Sequence, residues 1–160
     1  MKVDLSIEEV DIDSVLSNEQ LFNKLNKLTL RNNESDSSIV RKYLALMKRS
    51  PEEIDYYKPF VFLAKRQDTK DIVGWSFCIK QYVQMEYKKT PHYWIMLYVD
   101  QDMRQLGVGR TLIEYVLNFF DKRKELVFAT PWDYKSVKFY SKYFKRTRFD
   151  NEGYLLWKKL

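Results

Sequence analysis

The chain predicts an α/β domain built on a mixed sheet, and three observations carry that prediction. Tyr93 to Val99 is a nearly unbroken apolar run of strand length, the pattern of a central strand covered on both faces. Thr111 to Phe120 places Leu112, Ile113, Val116, Leu117 and Phe120 at helical spacing, so one helix face must pack on such a strand. Strand-like and helix-like segments continue on both sides of this pair. A length of 160 residues fits one domain, 1–160, and a hydrophobic content of 45% is enough for it to bury a core.

Taken in order, Lys2 to Ser6 alternates and predicts an edge strand. Asp13 or Ser14 caps a helix expected to reach Leu28, with Val15, Leu16, Leu21, Phe22, Leu25 and Leu28 on one face. Ser37 or Ser38 caps a second helix that ends at Ser50-Pro51, since the residue before proline disfavours the helical region. Pro51 to Pro59 is expected as a loop. Phe60 to Lys65 and Ile72 to Tyr82 form a hairpin around Gln67-Asp68-Thr69-Lys70, and Glu86 to Thr90 connects to the apolar strand. After the helix from Thr111 come a short strand, Leu126 to Thr130, and a helix, Tyr134 to Tyr143. A closing strand pair, Arg146 to Asp150 and Tyr154 to Lys159, turns at Asn151-Glu152-Gly153.

Composition excludes several classes. No apolar run is long enough to span a membrane, and the start lacks the apolar stretch of a secretory signal, so a cytoplasmic protein is expected. One cysteine, Cys78, leaves no intramolecular disulfide, and with one histidine, His92, no metal site is expected. Net charge is +6. Acids crowd the first twenty residues and bases the last forty, which suits a phosphate-bearing ligand or, as a second reading, nucleic acid.

The sharpest feature is Arg104-Gln105-Leu106-Gly107-Val108-Gly109-Arg110-Thr111, between the apolar strand and the amphipathic helix. Glycine lets a backbone turn tightly and lets a ligand come close. The helix that follows begins with unpaired N–H groups and roughly half a positive charge, which together receive phosphate oxygens. Arg104 and Arg110 would add charge-assisted bonds. Such glycine spacing is common by itself at ordinary usage; its weight comes from the flanking strand and helix. It is not a P-loop, which needs Gly-Lys-Ser/Thr, nor a dinucleotide fingerprint, whose third glycine is Leu112 here.

These residues resemble the signature of the GCN5-related N-acetyltransferases, Arg/Gln-x-x-Gly-x-Gly/Ala after the fourth strand, and the element order resembles that family over most of the chain. A second element agrees. Asp133-Tyr134-Lys135-Ser136-Val137-Lys138-Phe139-Tyr140-Ser141-Lys142 is similar to the family's Asn-x-x-Ala-x-x-Phe/Leu-Tyr-x-Lys, with Asp133 and Ser136 departing from it. Tyr143-Phe144-Lys145 stands where Leu-Gly-Phe is usual.

The resemblance implies a mixed, mostly antiparallel sheet flanked by helices and splayed between strands four and five, with no metal. It implies acetyl-CoA as acyl donor and transfer to a primary amine of a small molecule or protein. The amides of Leu106 to Thr111 would bind the pyrophosphate, and the backbone of Leu97, Tyr98 and Val99 would pair with the pantetheine arm. Ser136 and Phe139 would flank the cofactor, and Tyr140 would be the general acid. A homodimer is compatible with this reading.

The general base stays open among Glu86, His92, Asp100, Asp133 and water. Tyr56, Tyr57, Trp75, Phe77, Tyr82, Trp94 and Trp132 are available to line the acceptor pocket. Two alternatives remain. One is a nucleic-acid-binding module using Lys135, Lys138 and Lys142 interleaved with Tyr134, Phe139 and Tyr140. The other is a transferase whose amine is carried on RNA.

Overall fold

The computed structural model describes residues 3–30, 34–85, 88–131, 134–149 and 155–159, and the side chains of these apart from 30, 34–38, 84–85, 134, 146–149 and 155–159. The expected turn at Asn151 to Gly153, and Glu86, Trp132 and Asp133, lie outside the described residues.

Seven strands form one sheet. They are β1 (Leu5–Val10), β2 (Phe60–Arg66), β3 (Ile72–Met85), β4 (Lys88–Val99), β5 (Val127–Ala129), β6 (Phe144–Phe149) and β7 (Leu155–Lys159), in the order β1-β2-β3-β4-β5-β7-β6. Every neighbouring pair is antiparallel except β4 with β5. The helices are α1 (Ile12–Ser17), α2 (Glu19–Leu30), α3 (Glu34–Arg49), α4 (Glu52–Tyr57), α5 (Val108–Lys122) and α6 (Tyr134–Tyr140). The expected mixed, mostly antiparallel sheet flanked by helices is therefore the observed one.

Several element bounds differ from expectation, each for a local reason. The single helix expected from Asp13 to Leu28 is two. Asn18 closes α1 with its N–H to the Ser14 carbonyl, 3.2 Å, and its side chain then accepts the Leu21 N–H, 3.1 Å, capping α2. Asp11 caps α1 in the same way through the Asp13 N–H, 3.2 Å, and such caps are worth about 1 kcal/mol each. The expected loop after Pro51 contains α4, whose first-turn Glu52, Glu53 and Asp55 complement the helix dipole. It stops at Lys58, which turns left-handed with φ 43°. β3 and β4 are longer than expected: they pair with each other from Gly74↔Val99 to Met85↔Lys88, while β2 leaves β3 at Cys78. The outer ends of β3 and β4 thus extend past β2 and β5. α6 ends at Tyr140, three residues early, because Tyr143 folds its N–H back to the Tyr140 carbonyl, 3.0 Å.

Among the described residues, two large cores flank the sheet. One lies under α5, where Val108, Leu112, Ile113, Val116 and Phe120 meet Phe62, Tyr93, Ile95, Val127, Tyr140 and Phe144. The other lies under α1, α2 and α3, where Val15, Leu25, Leu28, Val40, Leu44 and Met47 meet Trp75, Phe77, Ile79, Met96 and Tyr98. The Trp75 indole N–H in this second core donates to Thr29 Oγ1, 3.0 Å, whose hydroxyl donates to the Leu25 carbonyl, 2.7 Å. The buried donors are thereby satisfied, avoiding a penalty of about 1–3 kcal/mol.

Candidate active site

The site is built where β4 parts from β5. Their parallel register covers only Tyr93↔Val127 and Trp94↔Phe128, because β5 is three residues long and its other edge is taken by β7. β4 continues through Leu97, Tyr98 and Val99 beyond the last residue paired to β5. The splay expected between the fourth and fifth strands is present.

At the end of β4 the chain makes two tight turns. Asp100 donates its N–H to the Val73 carbonyl, 2.8 Å, and its carboxylate accepts the Asp102 N–H, 3.1 Å, capping a single helical turn at Gln101–Met103. Asp100, one of the candidate bases, is therefore occupied as a cap. Gln105 and Gly107 then take positive φ, 66° and 86°. α5 starts directly from Gly107, three residues earlier than the periodicity of its apolar face indicates. Val108 is buried and anchors this first turn in the core.

The first hydrogen bond of the helix runs from the Thr111 N–H to the Gly107 carbonyl, 3.0 Å. The amides of Val108, Gly109 and Arg110 precede it and have no carbonyl one turn back in the helix to receive them. Thr111 itself has committed its amide and offers only its exposed side chain. Arg104 is exposed. Arg110 is exposed as well and shares its guanidinium with Glu114, 3.2 Å away one helical turn on.

α6 closes the other side. A Cβ placed on Gly109 would stand 3.5 Å from Phe139 and 3.6 Å from Val99. Phe139 and Val99 thus face the side of Gly109 where a side chain would stand, bringing the end of β4, the start of α5 and α6 together. Phe139 packs edge-on against Tyr140, 5.2 Å between centroids, and Tyr140 against Phe144, 5.6 Å. Tyr140 is buried, and Ser136 lies partly buried one turn before it on α6. The side chain of Leu97 borders the α5 core, whereas that of Tyr98 points to the opposite face and rests 5.8 Å from Trp75. Tyr98 therefore borders the gap through its backbone.

The candidate acceptor-lining residues separate. Trp75 and Phe77 are fully buried in the core beneath α1–α3, so they support the face without meeting a ligand. Tyr82 is exposed on the outer end of β3. Trp94, half-buried, stacks on Phe128 with the rings 13° from parallel and donates its indole N–H to Thr130 Oγ1, 3.1 Å. His92 is buried, with Nδ1 3.0 Å from the Thr90 carbonyl and its ring edge-on to Phe128. Tyr57 meets Tyr43 and Tyr56 edge-on at 5.0 and 4.8 Å. Its hydroxyl pKa is raised, first by burial and then by Tyr43 and Glu53. Tyr43, on α3, is not among the acceptor-lining residues that the sequence offered. Its link to this region, through Gln81 Nε2 donating to its hydroxyl at 3.2 Å, comes from tertiary structure. Among the described residues no group of three His, Cys, Asp or Glu side chains is placed to hold a metal ion, and no helix is long and apolar enough to cross a membrane.

Comparison with solved structures gives the same fold across nearly the whole chain. A putative GNAT-family acetyltransferase from Desulfovibrio desulfuricans aligns at TM-score 0.68 and 12% identity, covering 97% of this chain and 98% of that one. A variant of the AtaT toxin, bound to the C-terminus of the antitoxin AtaR and acetyl-CoA, aligns at TM-score 0.65 and 18% identity over 97% and 93%. Glucosamine-6-phosphate N-acetyltransferase from Arabidopsis thaliana aligns at 0.56 and 14% over 87% and 89%. No curated protein matches the chain by sequence alone. The profile of the acetyltransferase (GNAT) family, however, matches residues 27–144, from within α2 to the start of β6. The chain belongs to the acetyltransferase (GNAT) family.

Proposed function

We propose that the chain transfers the acetyl group of acetyl-CoA to a primary amine, of a small molecule or a protein, by direct attack in a ternary complex. The observation that carries this reading is the departure of β4 from β5 after Trp94, followed beyond the end of β4 by the positive-φ turn that opens α5. The gap suits an extended arm, and the turn suits the phosphates at the end of that arm. Leu97, Tyr98 and Val99 would run alongside the pantetheine. The amides from Leu106 to Arg110 would face the pyrophosphate, with Gln105 holding the turn and Arg104, Arg110 and the Thr111 hydroxyl at its rim. Ser136 and Phe139 on α6 would flank the cofactor.

The attacking amine must be neutral. With a pKa of about 10.4, only roughly one molecule in 2,500 is neutral at pH 7. One proton of the ammonium therefore leaves first. β4 itself carries no Asp or Glu, so this proton leaves through water or through a group outside the strand. The amine nitrogen then attacks the thioester carbonyl carbon. The C–N bond forms, the C–S bond breaks, and the electron pair leaves on sulfur. The second amine proton ends on the coenzyme thiol, and Tyr140 would pass its hydroxyl proton to the sulfur as it takes up that one. From a tyrosine of ordinary pKa this transfer is uphill by about 2 kcal/mol, within what positioning supplies.

Calorimetric titration with acetyl-CoA, followed by a free-thiol release assay over a panel of amines, tests the reading. Binding heat and amine-dependent thiol release are expected. No heat with acetyl-CoA refutes it.

A further inference from the structure

We propose that the acceptor is a small molecule with at least two cationic groups, held along a strip of aromatic rings, Tyr56, Tyr57, Tyr43 and Trp94, that leads from the surface to the point where β4 leaves β5. This rests on the acetyl-transfer reading and names the acceptor for that same site.

Tyr43, Tyr57 and Trp94 all border the core beneath α1–α3, on one face of the sheet. Tyr56, 60% exposed, touches Tyr57, and Tyr57 touches Tyr43. The Tyr43 hydroxyl accepts from Gln81, which lies opposite His92 in the β3–β4 register. His92 meets Phe128, and Phe128 stacks on Trp94. Trp94 is the last β4 residue paired with β5, so the strip ends where the gap begins. Tyr57, Tyr43 and Trp94 are each only partly buried, unlike Trp75 and Phe77 deeper on the same face. Ring faces of this kind attract ammonium groups.

Charge points the same way. α4, which supplies Tyr56 and Tyr57, also carries Glu52, Glu53 and Asp55 and no lysine or arginine, in a chain of net charge +6. Glu53 precedes Tyr57 by one turn of the same helix. Lys48, just before this helix, lies over the Phe22 ring at 4.9 Å.

The requirement for two cations follows from the chemistry. The reacting nitrogen must shed its proton, and a neutral nitrogen gains little from a ring face or a carboxylate. Rings and carboxylates remote from the gap hold the acceptor through the transfer only if a second ammonium stays on them.

The test compares 1,5-diaminopentane and spermidine with pentylamine in the thiol release assay, using the intact chain. The two polyamines should exceed pentylamine in kcat/KM by more than about tenfold, well beyond the statistical advantage of extra amines. Tyr56→Ala and Tyr57→Leu should each shrink that ratio by at least about threefold, chiefly through KM. Acetyl-CoA binding heat, measured in parallel, should persist, which shows that the variants are folded. Equal turnover of pentylamine and the diamine, or a ratio that both variants leave intact, overturns the proposal while acetyl transfer stands. Failure to turn over any amine with acetyl-CoA bound overturns both.

Discussion

Replacing Gly107 by alanine separates a phosphate grip from an ordinary strand-to-helix turn. Gly107 sits at φ 86°, ψ 3° as the residue from which α5 starts. An L side chain in this left-handed region costs about 1–2 kcal/mol. Alanine also removes chain freedom from the unfolded state, worth about 0.4–1 kcal/mol in the opposite direction where the backbone is compatible. The net expectation is a loss of up to about 1.6 kcal/mol if the turn holds its shape. For a domain of this size, that lowers Tm by up to roughly 6 °C. If the turn instead relaxes to negative φ, the strain disappears but the amides of Val108 and Gly109 rotate away from a common focus. Acetyl-CoA affinity should then fall by at least about tenfold, a loss of about 1.4 kcal/mol. Thermal unfolding and calorimetry on the same sample read the two effects. Gly109→Ala is the control: its added Cβ meets Phe139 and Val99 at ordinary contact distance, 3.5 and 3.6 Å, in a helical conformation. Stability there should stay within about 1 kcal/mol. A Gly107→Ala chain with unchanged Tm and unchanged acetyl-CoA affinity would refute the assignment of this turn.

Further outcomes are expected. Tyr140→Phe keeps the ring contacts with Phe139 and Phe144, so it should fold normally and lower kcat by about 10²- to 10⁴-fold with little change in KM; an unchanged kcat removes Tyr140 from the proton path. Cys78 is buried and its thiol pKa is pushed up to about 12 by desolvation. The unfolded chain therefore releases this proton first, and the stability it contributes, complete below about pH 8.5, is lost as pH climbs toward 12; Cys78→Ala should flatten that decline in alkaline denaturation curves. Arg110→Ala breaks an exposed pair with Glu114 worth at most about 0.5 kcal/mol, so acetyl-CoA affinity should drop while Tm stays put.

The fold was legible wherever one residue type had a single physical use. The apolar strand Tyr93 to Val99 and the stripe Leu112, Ile113, Val116, Leu117, Phe120 admit one arrangement, and both are present. Boundaries were less legible where two signals overlap. The apolar face of the first helix runs straight through Asn18, so periodicity alone joins α1 to α2. Two glycines in three residues resemble loop, yet Gly109 is already helical because Val108 is held in the core. The turn proposed to hold the phosphates was readable for the same reason as the strand: a turn that needs positive φ beside a helix start leaves a mark in the sequence. On the proposed acceptor side the sequence offered Tyr56, Tyr57 and Trp94 among seven aromatic residues, but not which of them share a surface or that Tyr43 joins them. Tyr43 and Trp94 are far apart in the chain, and packing against the core beneath α1–α3 brings them to one face.

The alternation of β4 explains how one strand serves both substrates of the proposed reaction. Ile95 belongs to the α5 core and Leu97 and Val99 border it, on the side of the turn and of Phe139. Met96 and Tyr98 belong to the core beneath α1–α3, and Trp94 borders it, on the side of the tyrosines of α3 and α4. Because strand side chains change face at every residue, a donor along the α5 side and an amine arriving over Trp94 approach the same backbone from opposite faces. They can meet only where the sheet is open, just past Trp94. Closing that opening should therefore abolish transfer, because it also takes the β4 backbone at Leu97 to Val99 away from the pantetheine arm. A longer β5, paired with β4 as far as Val99, would leave the rings and the phosphate turn intact yet separate the reactants by a hydrogen-bonded strand.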